Sequence, residues 1–202
     1  MIIYRGAEAV IRKINENEII KERIEKKYRI KELDIKIRKE RNKREAKILI
    51  ECKRIGINVP RVLEINDFSM KMEYINGKRL KDVINNKNYK EFATEIGKIV
   101  SILHSNNIVH NDLTLSNLLL YDNKIYLIDF GLSYNTNKIE KKAEDILTLY
   151  YSAKFIIGEK FEEFFKMFVD VYTKNYSEGG KVIERMKKIL SRGRYSLKNN
   201  DN

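Results

Sequence analysis

The chain has 202 residues, 41 of them Lys or Arg against 29 Asp or Glu, for a formal net charge of +12, and 43% are hydrophobic. That length can bury a sizeable core as one domain or two small lobes. No apolar run approaches the ~20 residues of a membrane span, no charged, apolar and cleavage segments stand in series at the N-terminus, and Cys52, the only cysteine, excludes an internal disulfide, so a cytoplasmic protein with no membrane partner is expected.

The start of the chain reads as three short strands, Ile2-Ile3-Tyr4, Val10-Ile11 and Ile19-Ile20, with Arg5-Gly6-Ala7 between the first two. A long helix is expected over about residues 34–54, with Ile37, Ile48, Leu49 and Cys52 on its core side and Gly56 as its C-terminal stop. Cys52 is then an inert packing residue. Pro60 opens a further strand region, Val62 to Ile65, Met70 to Ile75 is another, and Asn76-Gly77 turns the chain. From Leu80 onward helical periodicity dominates: Phe92, Ile96, Ile99, Val100 and Leu103 fall at spacings of three and four. A loop and hairpin interrupt it before three more helical patterns, at about 140–156, 160–175 and 179–191. In the last, Val182, Ile183, Met186, Ile189 and Leu190 form a core stripe, and the chain after Arg194 reads as a polar, frayed tail. The fold class is α+β with two lobes: a strand-rich N-terminal lobe with one long helix over 1–76, a helical lobe over 77–194 and a tail over 195–202. A nucleotide between such lobes would be shielded from water, its adenine against apolar strand residues.

The positive charge is unevenly placed. Residues 21–54 hold 15 Lys or Arg against 7 acids and residues 181–202 hold 7 against 2, so the remainder of the chain is close to neutral. A solvated helix face accounts for one basic run. Two such runs around a neutral body favour a polyanionic partner, contacted through phosphates and not read by sequence.

The chemistry-bearing segment is Ile108-Val109-His110-Asn111-Asp112-Leu113, with Asn117 five residues after Asp112 and Asp129 twelve residues after that, inside Ile128-Asp129-Phe130-Gly131. Phosphoryl transfer from ATP needs such a set: one carboxylate, Asp112, for the proton of the acceptor, and an amide and a second carboxylate, Asn117 and Asp129, for Mg2+. Lys21, after an apolar pair on the third strand, is placed to reach the α and β phosphates, steadied by Glu45, although Glu40 and Glu51 lie on the same helix. His110 reads as a structural anchor of its turn and His104 as ordinary helix packing. Asp145 either braces the catalytic loop or is an acid favoured near a helix N-terminus.

With these residues in place, the chain resembles a protein-kinase-like domain, and most closely the small atypical kinase subunit of the KEOPS complex, which helps make threonylcarbamoyl adenosine on tRNA. The likeness covers nearly the whole chain. Gly6-Ala7-Glu8-Ala9 stands at the short glycine loop, Ile19-Ile20-Lys21 at the strand lysine, Arg44-Glu45-Ala46 at the helix glutamate, and Arg192-Gly193-Arg194 at the basic tail. The resemblance implies that ATP and Mg2+ are used, with Gly6 and Ala7 at the phosphates, Met72 behind the adenine, and backbone groups of Glu73 and Ile75 at its edge. It implies as partners the threonylcarbamoyl-transferase subunit, which archaeal members can carry as a fusion, a small regulatory subunit on the N-terminal lobe, and tRNA along helix 34–54 and at Arg192 and Arg194.

Departures from ordinary protein kinases limit the activity. One glycine stands where G-x-G-x-x-G has three, Asn111 replaces the arginine that pairs with an activation-loop phosphate, and Thr114 replaces a lysine. Between Asp129 and Asp145 there is little room for an activation loop or a peptide platform. The expected function is an atypical serine/threonine kinase or ATPase controlled by its partners. Two alternatives remain open: a small-molecule phosphotransferase of the aminoglycoside or choline kinase type, for which no acidic acceptor cluster follows residue 140, and a nucleotide-binding scaffold without turnover.

Overall fold

The computed structural model describes residues 1–198, with side chains placed as far as Arg192. Its ten strands and six α-helices divide into two compact units, the first made of Met1–Lys78 with Leu119–Ser133 and the second of Arg79–Leu118 with the rest from Tyr134. Strands thus dominate early and helices late, as the α+β expectation requires.

The first unit holds an antiparallel sheet in the order β1-β2-β3-β5-β4, from Ile2–Arg5 (β1), Ala9–Lys13 (β2), Glu18–Arg23 (β3), Val62–Ile65 (β4) and Ser69–Glu73 (β5). Helix α1, Lys31–Arg54, lies against β4 and β5. It ends where the sequence places Gly56, which takes φ +87° while Gly56 N donates to Lys53 O and Ile57 N to Cys52 O, the paired hydrogen bonds of a Schellman stop. Cys52 is fully buried, and burial pushes its thiol pKa up to about 12, so it is unreactive.

The core face of α1 differs from the expected stripe. Ile48, Leu49 and Cys52 are buried, but Ile37 is half-buried, and the polar Asp34, Asn42 and Glu45 are buried instead. Each answers a need of neighbouring polar groups. Asn42 Nδ2 donates to the carbonyls of Asn66 at 2.8 Å and Ser69 at 2.9 Å, closing the β4–β5 turn. Asp34 accepts from Lys26 N and Arg38 Nε, closing the loop from β3 into the helix.

After β6 (Lys78–Arg79) and the one-turn α2 (Leu80–Val83) comes α3, Tyr89–Ser105, in the second unit. It packs on α5 (Phe161–Asn175), and Gly97 permits the close approach, since a Cβ there would lie 3.0 Å from Val171 Cγ1. Rings of Phe161, Phe165, Phe168 and Tyr172 stack along α5. Helix α4 (Ile139–Ile157) packs on α6, which runs from Gly179 to Lys198, further than the expected end at 191. The backbone remains helical through Gly193, and the rest of the expected frayed tail, 199–202, lies outside the described residues. Strand β7 (Ile108–Val109) pairs with β10 (Tyr134–Asn135), and β8 (Leu118–Tyr121) and β9 (Lys124–Leu127) form the expected hairpin. Among the described residues no helix is long and apolar enough to cross a membrane.

Candidate functional site

In the first unit, β3 alternates, and the alternation points Ile19, Lys21 and Arg23 to the buried face. Lys21 Nζ donates to Glu45 Oε1 at 2.6 Å and to Asp129 Oδ1 at 2.8 Å. Of the three acids considered on α1, the structure therefore brings Glu45 to the lysine. Burial works against charge on Lys21, but the two carboxylates outweigh it and raise its pKa above the usual lysine value. Glu45 is buried, whereas half of the Asp129 side chain is exposed. Asp129 has φ +63°, so its carboxylate is presented from a left-handed turn.

Sequence reasoning passed over Arg23, whose Nη2 donates to Glu45 Oε2. The signal for it was its i+2 spacing from Lys21 on a strand. It also passed over what holds the glycine loop. Gly6 N donates to Ala9 O at 3.0 Å, Lys26 Nζ donates to the Ala7 carbonyl, and Arg41 Nη1 reaches Glu8 Oε2 at 2.8 Å. The loop with its one glycine is thus tied down by side chains from α1 and from the segment before it.

Met72 is buried on β5 opposite Ile19, on the same side as Met70, the register partner of Lys21. Ile75 is also buried, and the Glu73 amide donates to the Arg61 carbonyl at 2.9 Å, which leaves the Glu73 N–H unavailable to a base.

In the second unit, Asp112 precedes one turn of 3₁₀ helix over Leu115–Asn117, and Asn117 ends it. Asn117 Nδ2 donates to Asp112 O and Asp112 Oδ2, both at 2.9 Å, which orients the amide with Oδ1 turned away from the carboxylate. Asp145 braces this loop from α4: Oδ2 accepts His110 N at 2.7 Å and Oδ1 accepts Asn111 N at 2.8 Å. It sits in the second turn of α4, so the loop contact and not the helix dipole accounts for it. Asn111 takes φ +62°, which its short side chain tolerates. His110 is fully buried, as an anchor should be. His104 is more than packing. It is fully buried, with Nδ1 2.8 Å from the Tyr172 hydroxyl and Nε2 3.3 Å from Asp145 Oδ2. Because a carboxylate only accepts, the network assigns the proton to Nε2 and lets Nδ1 accept from Tyr172. Burial pushes the Tyr172 pKa up, keeping that hydroxyl a donor.

Among the described residues no three His, Cys, Asp or Glu side chains gather to hold a metal by themselves. Asp129 in the first unit offers a carboxylate and Asn117 in the second an amide, both oxygen donors of the hard type that Mg2+ takes.

The protein kinase domain family matches residues 5–174. A probable serine/threonine-protein kinase BUD32 homolog of Archaeoglobus fulgidus is 41% identical over 197 residues, covering 96% of each chain. The KEOPS complex subunit Bud32 of Pyrococcus abyssi is 40% identical over 186 residues, covering 88% of this chain and 84% of its own. Probable bifunctional tRNA threonylcarbamoyladenosine biosynthesis proteins also match, that of Methanosphaera stadtmanae at 41% over 95% of this chain, but the chain spans only 36% of that protein's length. Among solved structures, the Rio2 kinase of Chaetomium thermophilum shares the fold at a TM-score of 0.64 and 11% identity, over 96% of this chain and 70% of that one. The chain belongs to the protein kinase domain family, in its Bud32 group.

Proposed function

We propose that the chain is a Mg-ATP-dependent phosphotransferase of the serine/threonine kinase type, or an ATPase, that works as the Bud32 subunit of a KEOPS-type assembly in threonylcarbamoyl adenosine formation on tRNA. The observation that carries this reading is the buried Lys21 ammonium held at once by Glu45 and by the half-exposed Asp129. That arrangement is a phosphate-binding cation with its orienting acid and a metal-binding acid beside it.

Lys21 would hold the α and β phosphates, Glu45 would keep its ammonium aimed, and Gly6 and Ala7 would cover the phosphates. Met72 and Ile75 would lie against the base, with the Glu73 carbonyl the group left to meet its edge. Asp129 and Asn117 Oδ1 would hold Mg2+, which when bound neutralises charge on the transferred phosphoryl group. Asp112 would accept the proton of the acceptor hydroxyl or water, with the Asn117 amide holding its carboxylate in place.

The partners proposed are the threonylcarbamoyl-transferase subunit, a small regulatory subunit on the strand-rich unit, and tRNA. The names of the Pyrococcus and Methanosphaera relatives support the first and the last. On α1 the ion-paired Arg38, Lys39 and Arg41 are committed to acids, while Lys36, Lys43, Arg44 and Lys47 are exposed and suited to RNA phosphates, as is exposed Arg192. The side chain of Arg194 lies outside the described residues.

The deciding experiment is an ATPase assay on the purified chain, alone and then with the transferase subunit and tRNA. Phosphate release that requires Mg2+ and is altered by the partners is expected. No release under any of these conditions, with nucleotide still bound, would favour the scaffold alternative.

A further inference from the structure

Arg23 is a cation that phosphate binding leaves unused. Its side chain is 3% exposed, two residues after Lys21 on the same face of β3. Its backbone is fixed, since Arg23 N donates to Phe68 O at 2.8 Å and the residue pairs with Ala9. The guanidinium holds one part of the site and lies beside another. Nη2 donates to Glu45 Oε2, and a Cβ built on Gly131 would meet Nη2 at 3.4 Å and Asp129 Oδ1 at 3.3 Å, so the arginine lies across the glycine of the Asp129 turn. Its Nε–H is buried without a hydrogen-bond partner, and Glu45 is the carboxylate to which its guanidinium donates.

Glu45 therefore carries two cations, Lys21 on Oε1 and Arg23 on Oε2. The inference rests on the nucleotide reading given above, in which Lys21 turns toward phosphates and Asp129 toward a metal ion. Glu45 is 2% exposed. With Lys21 as its only cation, that turn would leave a buried carboxylate undercompensated, and the helix bearing it would be driven to move. Movement of this helix, which makes and breaks the lysine–glutamate pair, is how enzymes of this architecture are switched. A second cation on the same carboxylate removes that freedom.

We propose that Arg23 is a positioning residue: it keeps Glu45 paired, and with it α1 seated and the Asp129 turn in place, while Lys21 engages the nucleotide. Lys21 can then change partners without α1 moving. The residue makes no contact with substrate in this role.

The test compares the native chain with Arg23→Met, unbranched and uncharged, and Arg23→Lys, which keeps the charge but loses the guanidinium that lies between Glu45 and Gly131. Three quantities are read: Mg-ADP affinity by calorimetry, KM and kcat for ATP hydrolysis, and amide hydrogen exchange of residues 40–50 with and without Mg-ADP. Arg23→Met is expected to weaken Mg-ADP binding and raise KM about tenfold, with Arg23→Lys between it and the native chain. In Arg23→Met, exchange on α1 rises when Mg-ADP is added, while in the native chain it does not. A merely structural arginine would loosen α1 equally in both states. Should Arg23→Met fail to fold, Arg23→Lys against the native chain decides by the same measurements. Native-like affinity together with nucleotide-independent exchange overturns the role of Arg23 alone. Failure of the native chain to bind Mg-ADP overturns the nucleotide reading, and this inference with it.

Discussion

Lys21 Nζ lies 2.8 Å from Asp129 Oδ1 while it also holds Glu45 at 2.6 Å, so one ammonium joins the third strand, the long helix and the Ile128-Asp129-Phe130-Gly131 turn. A metal ion held by the Asp129 carboxylate, as proposed, would compete with that ammonium for it. Asp129→Ala is therefore expected to abolish most of the Mg2+ dependence of nucleotide binding, with a loss of affinity of about tenfold or more in its presence. Calorimetry with and without Mg2+ measures it, and an unchanged Mg2+ effect removes Asp129 from the metal.

Asp112 is proposed for a different part, the proton of the acceptor, and its variant should separate from that one. Asp112→Ala is expected to lower ATP turnover by roughly 10²–10⁴ while Mg-ADP affinity stays within about twofold. Steady-state phosphate release beside calorimetry tells the two apart. Equal turnover would end the assignment of Asp112 as the base.

Much of the fold is legible in the sequence. Strands with period two, a glycine stop at 56 and the spacing of Asp112, Asn117 and Asp129 are local or nearly local signals, and short-range backbone chemistry fixes them. What escaped is non-local. The burial of Asp34 and Asn42 depends on backbone groups of Lys26, Asn66 and Ser69 that only the folded chain brings near α1, so an apolar stripe through Ile37 was the natural reading of the helix alone. Arg23 looked like one charge among many, since an alternating charged strand ordinarily faces water. His104 looked like packing because its partners, Tyr172 and Asp145, stand 68 and 41 residues away. The backbone run of α6 to Lys198 was hidden by its polar composition.

Asp145 holds two backbone amides of the catalytic loop and one histidine. Asp145→Ala strands those donors in a dry site and is expected to cost about 3 kcal/mol or more. Tyr172→Phe, which removes only the hydroxyl behind His104, is expected to cost about 1 kcal/mol. Urea denaturation measures both. Equal costs would mean that the loop is not held chiefly through Asp145.

The Asp34 carboxyl yields a pH signature. Burial alone would raise its pKa, but the Arg38 hydrogen bond, the Lys26 amide and the charges of Arg38 and Arg29 bring it below the usual 3.8. As pH falls, the unfolded chain takes up this proton first. The stabilisation is thus complete above the ordinary carboxylate value and is lost as pH drops through the folded one. The stability gap between the native chain and Asp34→Asn should be constant from about pH 7 to pH 5 and close below about pH 3.8. Urea midpoints across that range test it, and a gap indifferent to acid contradicts it.

For RNA, the exposed Lys43 and Lys47 should act through charge alone. Lys43→Glu with Lys47→Glu is expected to weaken tRNA binding and to flatten its salt dependence by about one unit of slope per lost phosphate contact. ATP hydrolysis by the chain alone should persist. An identical salt slope would take this face of α1 out of the RNA surface.

The residues that follow the Asp129 turn have a last consequence. Tyr134 and Asn135 pair with Val109 and Ile108, and Thr136 N donates to Asn107 O at 2.7 Å, all before α4 begins at Ile139. Backbone bound that soon has no slack to rearrange around an added phosphate. Phosphatase treatment should leave the turnover of the isolated chain as it was, so that on the proposed reading any throttle would be held by docked molecules and not carried within.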